Sequence, residues 1–223
     1  MGTLFVVGTP IGNLEDLSPR ALRVLAEVPL IAAEDTRVTA RLLARHGLRR
    51  PMVSHRAPVE GRSLPRLLEA LDRGDVALVT DAGTPTLSDP GRRLVVAAWE
   101  AGHQVTPVPG PSAVTAALSV AGFGGLGFCF AGFLPRRQGE LRRFFESLRT
   151  ALGPTVAFES PHRIRRSLQV MAEVLPDRPL ALARELTKRH EQVIRGTPAD
   201  VLDAVGESVR GEVTVVISGA VSE

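Results

Sequence analysis

The chain has 223 residues, 44% of them hydrophobic, which is enough for one large domain or two small ones with real cores. It holds one cysteine, Cys129, which rules out an internal disulfide, and its five histidines have no ligand spacing among themselves, so no metal site is expected. No apolar run is long enough to span a bilayer and the N-terminus has no signal-peptide pattern, so the expected location is a reducing cytoplasm, away from membranes.

Apolar strand segments alternate with amphipathic helices from the start. The first strand, Leu4–Gly8, ends in Gly8-Thr9-Pro10-Ile11-Gly12-Asn13, a loop that can wrap a nucleotide-like ligand. Its spacing is not a dinucleotide fingerprint, and it lacks the Gly-Lys of a phosphate-binding loop. A helix over Pro19–Glu27 leads to a strand over Leu30–Ala33, then to Glu34-Asp35-Thr36-Arg37. Adjacent carboxylates at a strand end are costly to bury together; Asp35 can cap the next helix, or the pair can do acid–base work. On the helix Thr36–His46, Arg37, Arg41 and Arg45 share one face, as a solvated stripe or as contacts to an anionic partner.

That face belongs to a larger imbalance. The net charge is only +3, yet residues 37–66 carry eight arginines against one acid, and residues 133–166 carry eight against three. Lys188 is the only lysine. Guanidinium binds phosphate in bidentate fashion, so segregated arginine points to an anionic partner, RNA ahead of membrane. With no tyrosine and one tryptophan, base stacking on aromatic rings is not available, and RNA contact would rest on phosphates.

After a helix over Leu64–Arg73, the strand Val76–Thr80 ends in Asp81-Ala82-Gly83-Thr84-Pro85. Asp81 can accept from a ligand, and Gly83 lets backbone approach it; the bland alternative is a tight turn. Asp89-Pro90 reads as the start of a helix over Pro90–Ala101, with the acid as N-cap. The strand Gln104–Pro107 runs into Val108-Pro109-Gly110-Pro111-Ser112-Ala113 and a helix over Ser112–Ala121. In a parallel sheet the turns at Gly8, Asp81 and Gly110 lie on one edge, where ligands bind.

The glycine-rich stretch 122–127 reads as a linker between domains 1–122 and 123–223. Beyond it, strands are expected at Phe128–Ala131, Thr155–Phe158, Leu180–Ala183, Gln192–Arg195 and Val213–Ile217. Helices are expected at Glu140–Leu152, Arg163–Leu175 and Pro198–Ser208. Leu180–Ala183 and Gln192–Arg195 are too close for a helical crossover, so they pair antiparallel and the second sheet is mixed. Polar strand ends recur at Glu159-Ser160-Pro161-His162-Arg163 and Arg184-Glu185-Leu186-Thr187-Lys188. No Gly-x-Ser-x-Gly elbow is present.

Thr9–Leu14, Ala32–Arg37, Thr80–Pro85, Pro109–Ser112, Gly132–Pro135, Glu159–Arg163 and Ala183–Lys188 together resemble the tetrapyrrole methylase superfamily of S-adenosylmethionine-dependent methyltransferases. Within it they resemble the ribosomal small subunit methyltransferase I family. The resemblance implies two α/β domains, a mostly parallel N-terminal sheet and a mixed C-terminal one, with the cofactor in the cleft between domains. It also implies a homodimer and 2′-O-methylation of a cytidine in 16S rRNA of the small ribosomal subunit. Pro10, Asp81, Ala82, Gly83, Thr84, Ser112 and Ala113 would line the cofactor pocket from the first domain, and Phe133, Ser160, Leu186 and Thr187 from the second. Candidates for the base are Glu159, Asp35, Glu34 and Glu185, in that order; Lys188 and Arg163 would hold phosphate or stabilise an alkoxide. RNA contacts fall to Arg37, Arg41, Arg45, Arg49, Arg50, Arg136, Arg137 and Arg163. The alternative is a methyltransferase acting on a small tetrapyrrole; such relatives open with Gly-x-Gly-x-Gly-Asp, where this chain has Gly-Thr-Pro-Ile-Gly-Asn. Some family members carry a further helical region, whereas this sequence stops at Glu223, just beyond the last strand.

Overall fold

The computed structural model describes residues 1–57, 60–125 and 127–220. The chain divides into two compact units, Met1–Ser112 and Ala113–Glu223. In the first, β1 (Thr3–Val7), β2 (Leu30–Ala33), β3 (Met52–Ser54), β4 (Val76–Val79) and β5 (Gln104–Val108) form a parallel sheet in the order β3-β2-β4-β1-β5. Every residue of β4 is buried, as befits a central parallel strand covered on both faces. Helices α1 (Pro19–Glu27) and α2 (Thr36–Arg45) close one face, where Leu25 and Leu43 meet Val7, Ile31 and Val79. Helices α3 (Glu60–Arg73) and α4 (Arg92–Glu100) close the other, where Leu67, Leu71 and Leu94 meet Leu4, Val76 and Leu78. Each such large side chain, once buried, contributes about 1.5–3 kcal/mol.

The strand β3 was not expected. It is three residues long, between Pro51 and His55, too short to show alternation. The start of α4 corrects the Asp89-Pro90 expectation: the N-cap is Gly91 with φ 116°, and the helix begins at Arg92. Before it, Thr86 and Ser88 also take positive φ, so the chain winds through left-handed backbone where Pro90 would have begun a helix. A Cβ on Gly91 would sit 2.6 Å from Leu78 Cδ2, so this cap packs against the core of the sheet.

Gly91 N donates to Glu60 Oε1 at 2.6 Å, and Glu60 faces the buried His55, whose Nδ1 is 2.8 Å from Ser63 Oγ. Burial holds the His55 ring below its ordinary 6.5, with Glu60 opposing in part. The unfolded chain therefore takes up this proton first as pH falls, and the folded state loses stability from about pH 6.5 downward. His55→Gln should flatten the fall in melting temperature between about pH 7 and pH 5; an unchanged slope in the variant would assign it elsewhere.

In the second unit, β6 (Cys129–Phe133), β7 (Thr155–Glu159), β8 (Leu180–Arg184), β9 (Gln192–Gly196) and β10 (Val213–Ile217) form a mixed sheet ordered β6-β7-β10-β8-β9. Only β6 and β7 are parallel; β8 and β9 pair antiparallel as their short connection requires. Helix α5 (Ala113–Ala121) covers one face through Val114, Ala117 and Ala121 against Val156, Ala181 and Val216. The helices α6 (Gln138–Ser147), α7 (Ile164–Val174) and α8 (Pro198–Ala204) cover the other around Phe145, Leu168 and Met171. Because α5 packs on this second sheet, the division falls between Ser112 and Ala113, ahead of the glycine-rich stretch, in which Leu126 lies outside the described residues. The expected helix 140–152 ends instead at Ser147 and tightens into a 3-10 turn over Leu148–Thr150.

Candidate active site

Three turns at the carboxyl edge of the first sheet are stitched together by backbone. Thr9 N donates to Gly83 O at 2.9 Å and Gly83 N to Thr9 O at 3.0 Å, an isolated antiparallel bridge between the ends of β1 and β4. The buried Thr9 hydroxyl donates to Thr80 O at 3.1 Å. Gly83 has φ 80°, which glycine adopts without strain. On the other side, Gly8 and Gly110 are in backbone contact: a Cβ on Gly110 would lie 2.7 Å from Gly8 O, and one on Gly8 would lie 2.8 Å from Gly110 Cα. Thr84 Oγ1 donates to Pro111 O at 3.5 Å. The Pro10, Asp81–Thr84 and Pro111–Ser112 segments thus form one continuous rim. Thr9 opens one of the stretches singled out in the sequence but is not among the candidate site residues; its register opposite Gly83 gives it this part.

Asp81 belongs to a carboxylate group spanning two strand ends. Glu34 Oε2 accepts from Asp81 N at 3.2 Å, and Asp81 Oδ1 accepts from Asp35 N at 3.1 Å, so each strand end holds the other. Burial, then repulsion from Asp81 and Asp35, pushes the Glu34 carboxyl above its ordinary 4.5, against the hydrogen bond from Asp81 N. Burial also raises Asp81, against the bond from Asp35 N. Asp35 is different. It caps α2 by accepting from Arg37 N at 2.8 Å, and its carboxylate pairs with the Arg37 guanidinium at 2.6 Å, which holds it well below the usual range. Three neighbouring acids therefore have distinct characters, and Asp35 is the poorest proton acceptor.

Asp81 separates two hollows in this unit. One, of ≈ 400 Å³, is bounded by Glu34, Asp35, Arg37, Ser54 and Arg56. The other, of ≈ 590 Å³, lies between Pro10, Leu14 and the face of α2 that carries Val38, Arg41, Leu42 and Arg45. Arg49 and Arg50 bound a further hollow beyond α2.

In the second unit, Glu159 is no open carboxylate. Its side chain is fully buried and accepts from Ser160 N and from Ser167 Oγ, each at 2.6 Å, and it pairs with Arg163. Such a network fixes the start of α7; removing one partner of a buried ion pair typically costs about 3–5 kcal/mol. Arg163 is held by Glu159 and lies near Leu134 O, with its side chain 27% exposed. Arg136 and Arg137 are exposed, with Arg137 in a loose pair with Glu140. Phe133, after the bulge at Gly132 in the edge strand β6, is 58% exposed.

The loop after β8 holds two further candidates in a tight frame. Glu185 and Thr187 have φ 51° and 65°, left-handed backbone that costs about 1–3 kcal/mol each for side chains of this kind. Lys188 Nζ bridges Glu185 Oε1 at 2.9 Å and Glu212 Oε2 at 2.8 Å. Glu185 Oε1 also accepts from Glu212 N at 3.0 Å, and the hydrogen bond and Lys188 hold its carboxyl below the usual range. A Cβ on Gly211 would lie 2.3 Å from Glu185 Cδ. Glu185 and Lys188 hold this loop around Leu186 and Thr187; the Thr187 hydroxyl is buried with no hydrogen-bond partner among the described residues. Among the described residues no three His, Cys, Asp or Glu side chains could hold a metal.

Two α/β units, a parallel sheet followed by a mixed one with glycine-bearing turns on the first sheet's edge, define a class. Residues 3–202 match the family model for tetrapyrrole (corrin/porphyrin) methylases, and the chain belongs to that family. Among solved structures, the uroporphyrin-III-C-methyltransferase of Thermus thermophilus aligns with a TM-score of 0.67 over 98% of this chain and 94% of its own, at 22% identity. Within the class the chain falls among the ribosomal RNA small subunit methyltransferase I proteins. That of Neisseria meningitidis serogroup B is 48% identical over all of this chain and 78% of its own length. The Thermotoga maritima protein of the same name is 44% identical over 98% and 99% respectively.

Proposed function

We propose that the chain transfers a methyl group from S-adenosylmethionine to the RNA of the small ribosomal subunit, and that the acceptor is the 2′-hydroxyl of a cytidine ribose in 16S rRNA. The observation that carries the reading is the full-length similarity to relatives named for that RNA, at 48% identity. The tetrapyrrole alternative has weaker support, because the tetrapyrrole enzymes match at 22% identity or less among the aligned structures and share the fold alone. A homologue of this fold is complexed with S-adenosyl homocysteine.

The rim fits such a cofactor. Gly8, Gly83 and Gly110 remove side chains from three adjoining strand ends, and Asp81 offers a carboxylate beside them. In this proposal Pro10, Asp81, Ala82, Gly83, Thr84 and Ser112 hold it in the first unit. Ala113, Phe133, Ser160, Leu186 and Thr187 are the candidate positions of the second. When bound, the cofactor supplies a methyl group already activated on a sulfonium, so alignment of the acceptor oxygen is the protein's largest task.

A ribose hydroxyl is a poor nucleophile at neutral pH, and a carboxylate that takes its proton during attack helps by about 10²–10⁴-fold. We assign that part to Glu34. Glu159 is occupied by three partners, Glu185 by Lys188 and a backbone N–H, and Asp35 by Arg37. Glu34 has one backbone partner and a proton affinity raised by burial. With the cofactor bound, the 2′ oxygen would take the methyl carbon as the carbon–sulfur bond breaks and S-adenosylhomocysteine leaves, and Glu34 would receive the hydroxyl proton. Arg37, Arg41, Arg45, Arg49 and Arg50 supply phosphate contacts from α2 and the loop after it. The enzyme works in the cytoplasm as a homodimer in this reading; no helix among the described residues is long and apolar enough to cross a membrane.

Mapping of 2′-O-methyl marks on small-subunit RNA from cells with and without the gene tests the assignment. One mark on a cytidine should vanish in its absence; an unchanged map would overturn the reading.

A further inference from the structure

The hollow beside α2 has a character that phosphate contact alone does not explain. Its lining combines the apolar Pro10, Leu14, Val38 and Leu42 with the charged Arg41, Arg45 and Asp81. Leu14 is 43% exposed, although it follows Asn13, which caps the 3-10 turn Leu14–Asp16 and so fixes where that side chain stands. Arg41 Nε donates to Arg37 O at 3.4 Å, and among the described residues no carboxylate forms a salt bridge with Arg41 or Arg45. An exposed leucine held in place, facing two uncommitted guanidinium groups across an apolar trough, suits a ligand with a flat apolar body and anionic ends. A single nucleotide of RNA has both.

Chemistry on one nucleotide also demands access to it. Enzymes that modify nucleotides take the target out of its stack, and single-stranded RNA is read by splayed bases on apolar or guanidinium surfaces. Here no tyrosine exists and no aromatic residue lines the trough, so the surface must be aliphatic. We infer that this hollow receives one unstacked nucleotide of the substrate RNA, its base against Leu14, Val38 and Leu42 and its flanking phosphates on Arg41 and Arg45. The inference rests on the RNA-methylation reading and adds to it the place where the nucleotide sits. Asp81 joins the hollow to the proposed cofactor rim, and it bridges to Glu34 through its backbone N–H. The seated nucleotide would thus lie beside Asp81, the carboxylate assigned to the cofactor, with Glu34 on the far side of Asp81.

The test compares two kinds of variant on small-subunit RNA, with S-adenosyl homocysteine affinity and melting temperature measured on each. Leu14 is exposed, so Leu14→Ala should fold normally and bind the cofactor product as the parent does. It should raise KM for RNA about fivefold, the loss expected for part of one leucine's buried surface, while the dependence of log affinity on log salt stays unchanged. Arg41→Ala should raise KM as well, but should also reduce that salt slope by about 0.7, the signature of one lost phosphate contact. Val38→Ala provides a second apolar truncation and should behave like Leu14→Ala. Parental KM in both apolar variants would overturn the hollow, as would an apolar variant whose salt slope falls like that of Arg41→Ala. If the parent protein transfers no methyl group to the RNA at all, the functional reading itself fails, which is a different outcome from methylation that ignores Leu14 and Val38.

Discussion

Glu34→Gln lowers turnover by about two orders of magnitude or more at saturating RNA and cofactor, within the range for loss of a positioned base. Affinity for S-adenosyl homocysteine should change little, because glutamine keeps the oxygen that accepts from Asp81 N. The same assignment fixes the sign of the pH profile. A base works deprotonated, and burial with two acidic neighbours places the Glu34 carboxyl above 4.5, so the acidic limb of the parent's rate lies above that value. In the variant this limb should disappear. Asp35→Asn serves as the contrast: it disturbs the cap of α2 and the pair with Arg37, and it should keep most of the chemical step. Equal turnover in Glu34→Gln and the parent would move proton transfer to another group or remove the need for it.

Gly110→Ala should abolish measurable cofactor binding and destabilise the protein by about 1–3 kcal/mol, the usual cost of overpacking. The new methyl group would fall 2.7 Å from Gly8 O and 2.9 Å from Gly8 Cα, backbone against backbone, where no side chain can swing away. The two turns must separate, and with them the rim that Thr9 and Gly83 extend. Calorimetric titration with S-adenosyl homocysteine and thermal melting read the two effects. A variant with parental affinity would show that the Gly8–Gly110 contact does not shape the site. Gly61→Ala is the control, since a Cβ there meets nothing within 4 Å among the described residues.

The central strands were legible because they are short runs of buried aliphatic residues bounded by turns; β2 and β10 match their expected limits residue for residue. The edge turns were legible for the same reason: a parallel sheet puts every strand end on one side. What failed to show depends on partners distant in sequence. Nothing local marks Met52–Ser54 as a strand; it forms because β2 offers it an edge. Asp89-Pro90 carries a helix-start signal, but Gly91 fits between Leu78 and Glu60 as no other residue would, and the helix starts after it. Glu159 reads as a polar residue at a strand end and the first candidate for the base; Ser167, in the first turn of α7, takes its second oxygen. Glu34 and Asp35 are adjacent acids that local sequence does not tell apart. Arg37 separates them by pairing with Asp35 and leaving Glu34 to be raised by burial. The two positive-φ residues around Leu186 have no sequence signature, since neither is glycine or asparagine.

The most direct test of the account is methyl transfer from radiolabelled S-adenosylmethionine by the purified protein, offered unmethylated small-subunit RNA and, in parallel, a uroporphyrinogen-type tetrapyrrole. The account predicts label on the RNA, at the ribose of one cytidine, with none on the tetrapyrrole and with the RNA signal lost in Glu34→Gln. Label on the tetrapyrrole and none on the RNA would contradict it.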